Sequence, residues 1–165
     1  MVREHLSGRS ALVRRLGPWI LAAALVGLDQ LSKAWALSQL APGQTLPWLP
    51  GLLQLQRVAN TGAAFSLFSG NSAGLGLISA LATLLAMGWL LARPPVRPWL
   101  ALAVALLLAG ALGNGLDRWR LGYVVDFLEF VPIRFPIFNV ADVAINLAVA
   151  CFAIDWLQSG RHLDG

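Results

Sequence analysis

The sequence predicts an all-α membrane protein, four transmembrane helices carrying a small extracytoplasmic β-sheet or cradle, and three observations predict it. Four apolar runs, at 17–40, 72–92, 99–116 and 140–157, come close to or exceed the roughly 20 residues that a bilayer core requires. Only 12% of the 165 residues are charged while 58% are hydrophobic, about half the charge of an ordinary soluble domain. The basic residues fall in short clusters between the apolar runs, as in loops that orient membrane helices. The whole chain, 1–165, reads as one integral membrane domain, with 1–16 as a tail and 41–71 and 117–139 as two long loops.

The runs at 72–92 and 99–116 contain no ionisable residue and are dominated by Leu and Ala, both strong helix formers. The first run follows a basic segment, as a secretory signal does, but no small-residue cleavage site follows its apolar part. It continues instead as DQLSKAWALSQL, where Asp29 and Lys33 are four apart and share one helical face. Paired there, the two charges cost less to hold near lipid, so this run is an uncleaved first helix. The last run opens with Asp142 in its first turn.

In the loop 41–71, Leu53, Leu55 and Arg57 to Val58 alternate as in a strand, between turns marked by Pro and Gly. In 117–139 the expected extended pieces are 123–125 and 131–133, around Asp126. Irregular backbone so rich in Leu, Phe and Trp belongs on a membrane surface, its polar atoms paired into a small sheet. Seven basic residues outside the spans (Arg3, Arg9, Arg14, Arg15, Arg93, Arg97, Arg161) lie on the side of the tails, against four (Arg57, Arg118, Arg120, Arg134) on the other. That excess puts both termini in the cytoplasm and the long loops outside.

Composition closes several classes of function. A chain this apolar does not stay disordered. The single Cys151 offers neither a disulfide partner nor a thiolate metal cluster. The net charge of +4 forms no basic stripe on a soluble face, so no nucleic-acid partner is expected. His5 and His162 sit in the tails, which removes Ser-His-Asp and Cys-His arrangements and histidine-ligated zinc from the outer side. Lys33 is the only lysine, and the adjacent Ser32 points elsewhere on a helix, which argues against a Ser-Lys dyad.

Five of the eight acids fall on the outer half: Asp29, Asp117, Asp126, Glu129 and Asp142. Asp126 lies in the apolar GYVVDFLEF and Asp142 in FNVADVAIN. Two carboxylates brought together in an apolar site cannot both ionise cheaply, and they share one proton. Such a pair can hydrolyse an amide without metal, histidine or covalent intermediate: the ionised member takes a proton from water while the protonated one hydrogen-bonds to the carbonyl. Plainer readings stand beside this one. Asn139 and Asp142 have the spacing of an N-cap and N3 pair, Asp126 could be a loop acid balanced by Arg120 or Arg134, and Asp117 could pair with Arg118 at a helix end.

Gly110, Asn114 and Arg118 recur at intervals of four along one face of the third helix, and Asp142 and Asn146 repeat the interval on the fourth. A central Asp or Arg costs about 2.5 to 3.5 kcal/mol in lipid, so these faces should turn toward each other, with Gly110 permitting close approach. Two rival functions remain at this point. A proton-coupled transporter would spread ionisable groups through the membrane depth, which the clean second and third spans oppose. A non-enzymatic assembly factor would use the polar seam only to fix helix packing.

Four blocks then stand in one order: DQLSK at 29–33, VANTGAAFSLF at 58–68, GALGNGLDRWRLGYVVDFLEF at 110–130 and FNVADVAIN at 138–146. Together they resemble the lipoprotein signal peptidases, the signal peptidase II family, from the first span to the fourth. The resemblance implies a multi-pass aspartic peptidase of the bacterial cytoplasmic membrane with its site near the periplasmic surface. Its substrate would be a prolipoprotein carrying diacylglycerol on a cysteine, cut just before that cysteine. It implies Asp126 and Asp142 as the catalytic pair and Asn60, Asn114, Arg118 and Asn139 as residues that bind substrate or organise the site. Asp29 and Lys33 take a supporting structural part, beside Gly110 and Asn146. No cofactor or metal is implied, membrane lipid is an expected partner, and a monomer is expected. An outer loop bearing Trp48 and Phe65 could clamp the peptide by strand addition.

Overall fold

In hydrocarbon every backbone N–H and C=O must be bonded within the protein, so the apolar runs have little choice but to be helical. The structure, a computed structural model, describes residues 2–62, 70–92, 97–133 and 135–160. In chain order it contains α1 (Val2–Gln39), β1 (Thr45–Leu49), β2 (Leu53–Asn60), α2 (Ser72–Ala92), α3 (Pro98–Leu121), β3 (Val124–Phe130) and α4 (Val140–Gly160). Four segments are long and apolar enough to cross a membrane: Arg14–Gln39, Ser72–Ala92, Pro98–Leu121 and Val140–Ser159. The expected four spans and small sheet are therefore present, in the expected order.

Helix ends differ from the expectation where polarity, rather than conformation, ended the apolar run. The first helix begins at Val2 instead of 17 and carries Pro18 within it. The third runs on to Leu121 rather than 116. Its last turn holds Arg118 and Arg120, which complement the negative end of the helix dipole. Gly122, at φ 81°, closes it by donating its N–H to the Arg118 carbonyl, a left-handed cap that suits glycine.

The sheet has the order β1-β2-β3, antiparallel throughout. Strand β3 corrects the expected pieces at 123–125 and 131–133: it is one strand across Asp126 and Glu129, and 131–133 is a turn. Its length is set by its partner, from Asn60 opposite Val124 to Leu53 opposite Phe130. The register shifts between Leu55 and Val58, and at this irregularity Arg57 reaches back to donate to the Leu37 carbonyl at 2.9 Å, satisfying an open group near the end of α1. Trp48 lies on β1 with its side chain exposed; Phe65 and Arg134 are outside the described residues.

The third helix is the centre of the bundle. Of its apolar window 61% is buried, against 22% for α1, 22% for α2 and 28% for α4, so the other three turn most of their Leu, Ile and Val outward as lipid-facing helices do. Ala22, Ala86, Leu90, Val104 and Leu108 join α1 and α2 to α3, and Ala103, Leu106, Ala144 and Ala148 join α3 to α4. Ala36, Leu40, Leu55, Val125 and Phe127 seat the sheet on the end of α1. At the opposite end Arg97 pairs with Asp155 at 2.9 Å and also contacts Ser159, tying the start of α3 to the end of α4.

Two glycines of α3 make close approach possible, as expected of Gly110. A Cβ on Gly110 would lie 2.6 Å from the Ala141 carbonyl oxygen and closer still to Ile145; one on Gly113 would lie 2.7 Å from an Asp29 oxygen. Gly110→Ala should accordingly lower the thermal unfolding midpoint in detergent by an amount equivalent to about 1–3 kcal/mol, the cost of overpacking. Gly88→Ala, whose Cβ would meet nothing within 4 Å, serves as the control. Equal midpoints for Gly110→Ala and the parent chain would contradict the contact.

Candidate active site

Strand β3 carries Asp126 between buried neighbours Val125 and Phe127, and Asp126 is itself only 2% exposed. It must then find donors within the protein. Asn139 Nδ2 donates to its Oδ1 at 2.6 Å and Asn60 Nδ2 to its Oδ2 at 2.8 Å. The Asn60 amide is itself oriented, because its Oδ1 accepts the Gly62 N–H at 2.9 Å.

Asp142 stands in the first turn of α4, where the expected capping pair is present: its N–H donates to Asn139 Oδ1 at 2.9 Å and its Oδ2 accepts the Asn139 N–H at 3.1 Å. Capping does not occupy the whole carboxylate. The other oxygen, Oδ1, accepts Asn114 Nδ2 from α3 at 2.8 Å. Asn139 thus touches both acids, Asp126 through its side chain and Asp142 through its backbone. The cap thus leaves one Asp142 oxygen beyond it, on the cavity that Asp126 also lines.

Beneath the pair lies a buried charge cluster. Lys33 is 2% exposed, and its three ammonium protons meet Asp29 at 2.8 Å, Asp117 at 3.1 Å and the Asn114 side-chain oxygen at 2.9 Å. That last bond fixes which way the Asn114 amide faces, leaving its Nδ2 for Asp142. Asp29 accepts the Ala141 N–H at 2.9 Å and Asp117 the Val125 N–H at 3.0 Å. Gln30 bonds both acids and the Gly113 carbonyl. Removing one partner from such a cluster would strand a buried charge, at about 3–5 kcal/mol.

The cluster corrects the expectation for Asp117. Among the described residues its ion pair is with Lys33, because successive side chains on a helix point about 100° apart and Asp117 faces α1 while Arg118 faces the cavity. Arg118 donates to the Gly62 carbonyl at 3.0 Å, and its charge interacts with Asp142 and Asp126. Asn146 lies on the cavity wall with Asp142, as its spacing suggests, and its amide bonds the Asp142 carbonyl of its own helix at 2.9 Å. Gln30 was not anticipated; it adjoins Asp29 in the sequence, and its position within DQLSK was the available signal.

These groups line a cavity of about 960 Å³ between α2, α3, α4 and the sheet. Asn60, Asn114, Arg118, Asp126, Asp142 and Asn146 are among its polar residues, while Ile78 and Leu147 carry the wall onto the lipid-facing sides of α2 and α4. Burial, chiefly, and then the nearby charge of Asp142 push the Asp126 carboxyl up to about 7; the Asn60 and Asn139 bonds and the Lys33 charge oppose the rise without cancelling it. Among the described residues no three His, Cys, Asp or Glu side chains gather as they would around a metal ion.

Comparison with known proteins bears on the family and the fold. The family model described as signal peptidase (SPase) II matches residues 21–158. A lipoprotein signal peptidase of Parasynechococcus marenigrum (strain WH8102) is 53% identical over 154 residues, covering 91% of this chain and 97% of the relative. One from Synechococcus sp. (strain RCC307) is 55% identical over 143 residues, covering 85% and 95%. A solved structure titled "Bacterial membrane enzyme structure by the in meso method at 2.3 A resolution" superposes with a TM-score of 0.82 at 28% identity, covering 87% of this chain and 89% of the other. With the model match extending from the first span to the end of the fourth, the chain belongs to the signal peptidase II family, a multi-pass bacterial membrane protease.

Proposed function

We propose that the chain is an aspartic endopeptidase that removes the signal peptide from diacylglyceryl-modified prolipoproteins, cutting just before the lipidated cysteine. Family membership supports the prolipoprotein substrate. The observation that carries the catalytic type is that one residue, Asn139, holds two acids of different chain segments on the wall of one cavity. Both termini lie in the cytoplasm on this reading, following the bias of basic residues, and the sheet end faces the periplasm.

The chemistry follows from one shared proton. Asp142 carries the charge, favoured by the positive end of α4, and Asp126 carries the proton. A water between them gives a proton to Asp142 as its oxygen attacks the scissile carbonyl carbon. Asp126 donates its proton to the carbonyl oxygen, and a tetrahedral diol forms. Collapse returns a proton to Asp126, passes the proton on Asp142 to the departing nitrogen, and breaks the C–N bond. The products are a signal peptide ending in a carboxyl group and a cysteine with a free amine. Arg118, whose buried Nε has no partner among the described residues, offers a donor to the peptide backbone. The lipid-facing cavity wall lets the substrate enter sideways with its acyl chains still in the bilayer.

Asp126→Asn and Asp142→Asn, each purified in detergent and given a diacylated prolipoprotein, should lose turnover by about 10³-fold, within the range for a general acid or base. Full processing by either variant would exclude the pair. A chelator should leave the parent activity unchanged, and its loss on chelation would equally count against a mechanism of two acids and water.

Ionisation of Asp126 also links folding to pH. The folded chain keeps this proton up to about pH 7, whereas the ordinary carboxyl value is 3.8. Between those values the native state binds more protons than the unfolded one, so the contribution to stability is full below the lower value and lost as pH rises through the upper. Relative to the parent, Asp126→Asn should therefore gain in unfolding midpoint as pH rises from about 4 to about 8, whatever its fixed offset. A pH-independent difference would show that the carboxyl is not perturbed.

A further inference from the structure

We propose that Asp29 and Asp117 are positioning residues that set the separation of Asp126 and Asp142, with Lys33 as the link between them. The inference rests on the two-aspartate reading above and goes beyond it by assigning what fixes the pair's geometry. It is carried by a coincidence of position. Asp29 accepts the backbone N–H of Ala141, and Asp117 accepts the backbone N–H of Val125. Each bond falls on the residue immediately before one acid of the pair.

The other side of each anchor is common. The Lys33 ammonium lies 2.8 Å from Asp29 and 3.1 Å from Asp117. A continuous path thus runs from the peptide before Asp142, through Asp29, Lys33 and Asp117, to the peptide before Asp126. A third arm passes from Lys33 through the Asn114 amide to Asp142 itself. Charge-assisted bonds of this kind are short and directional, and within an apolar bundle no solvent competes for them. The start of β3 and the first turn of α4 also meet directly, where Phe138 pairs with Leu128 and Asn139 bonds Asp126 and the Val125 carbonyl. The ion cluster adds a second connection on the opposite side of the pair, and this one holds the backbone immediately before each acid.

An ion pair that only holds helices together looks different. Arg97 and Asp155, at the far end of the bundle, join α3 to α4 without bonding the backbone of any residue near the cavity. Loss of that pair should lower stability alone. Loss of an anchor should instead lower the rate of the chemical step, since misplacement by about 1 Å can cost about a hundredfold.

The test uses the full chain in detergent with a diacylated prolipoprotein, measuring kcat, KM and unfolding midpoint for Asp117→Ala, Asp117→Asn and Arg97→Ala. Asp117→Ala should lose about a hundredfold in kcat with KM changed by less than about threefold. Asp117→Asn, whose amide oxygen can still accept the Val125 N–H, should recover most of that loss. Arg97→Ala should lower the midpoint and keep the parent kcat. Should Asp117→Ala yield no folded protein, Asp117→Ser, too short to reach Val125, takes its place. The inference is overturned if the truncated variant keeps parental kcat, or if Asp117→Asn is no better than the truncation. Asp126→Asn and Asp142→Asn run alongside separate the two readings. If either remains fully active, the pair has failed and the anchors with it; if both are inactive while Asp117→Ala turns over normally, only the positioning role falls.

Discussion

A lone ammonium inside an apolar helical bundle is the constraint on which the rest of this structure depends. Lys33 can stay charged there only with acceptors for all three of its protons, and it finds them in two carboxylates and one amide. Each acceptor is then committed in direction. Asn114 must turn its nitrogen toward Asp142, Asp117 must face α1 rather than Arg118, and Gly113 must lack a side chain so that Asp29 can fit against α3. One buried charge thereby fixes the crossing of α1, α3 and α4 and the polar wall of the cavity.

The sheet contributes what a helical bundle alone would not. A strand presents alternate residues to opposite faces, and β3 uses this to place Asp126 inward while β2 delivers Asn60 beside it. At the start of α4, Asp142 accepts the N–H of Asn139, the residue just before the helix. A signal peptidase II of this build joins one acid from extended backbone and one from a helix N-terminus. The two electrostatic settings differ for that reason, which suits a pair whose members act as acid and base. On the proposed function, the apolar wall between α2 and α4 is the side from which a lipid-anchored substrate enters.

Much of this was legible in the sequence because the bilayer simplifies the reading. Uninterrupted Leu and Ala at 72–92 admit one interpretation, and the four-residue spacing of Asp29 and Lys33 placed them correctly as a pair. The spacing of Asn139 and Asp142 gave the helix start, and the quoted blocks contain Asn60, Asn114, Arg118, Asp126 and Asp142, which line one cavity. Apolarity was a poor guide to helix ends, since the polar turns at 117–121 are as helical as the rest. Strand β3 was split in expectation because two acids interrupt its pattern, and only its pairing with β2 reveals it as one element. The partner of Asp117 was illegible for a different reason: spacing says which residues share a face, and says nothing of which neighbouring element supplies the partner.

On the proposed mechanism, Asp126 and Asp142 hold one proton between them at neutral pH. Infrared difference spectroscopy on the chain labelled at aspartate carboxyl carbons, titrated in lipid, reads that proton directly. A protonated-carboxyl band that persists well above the ordinary carboxyl range, titrates near pH 7 and disappears in Asp126→Asn is the predicted result. Fully ionised carboxylates in the parent chain from about pH 5 upward, above the usual aspartate value, would contradict it.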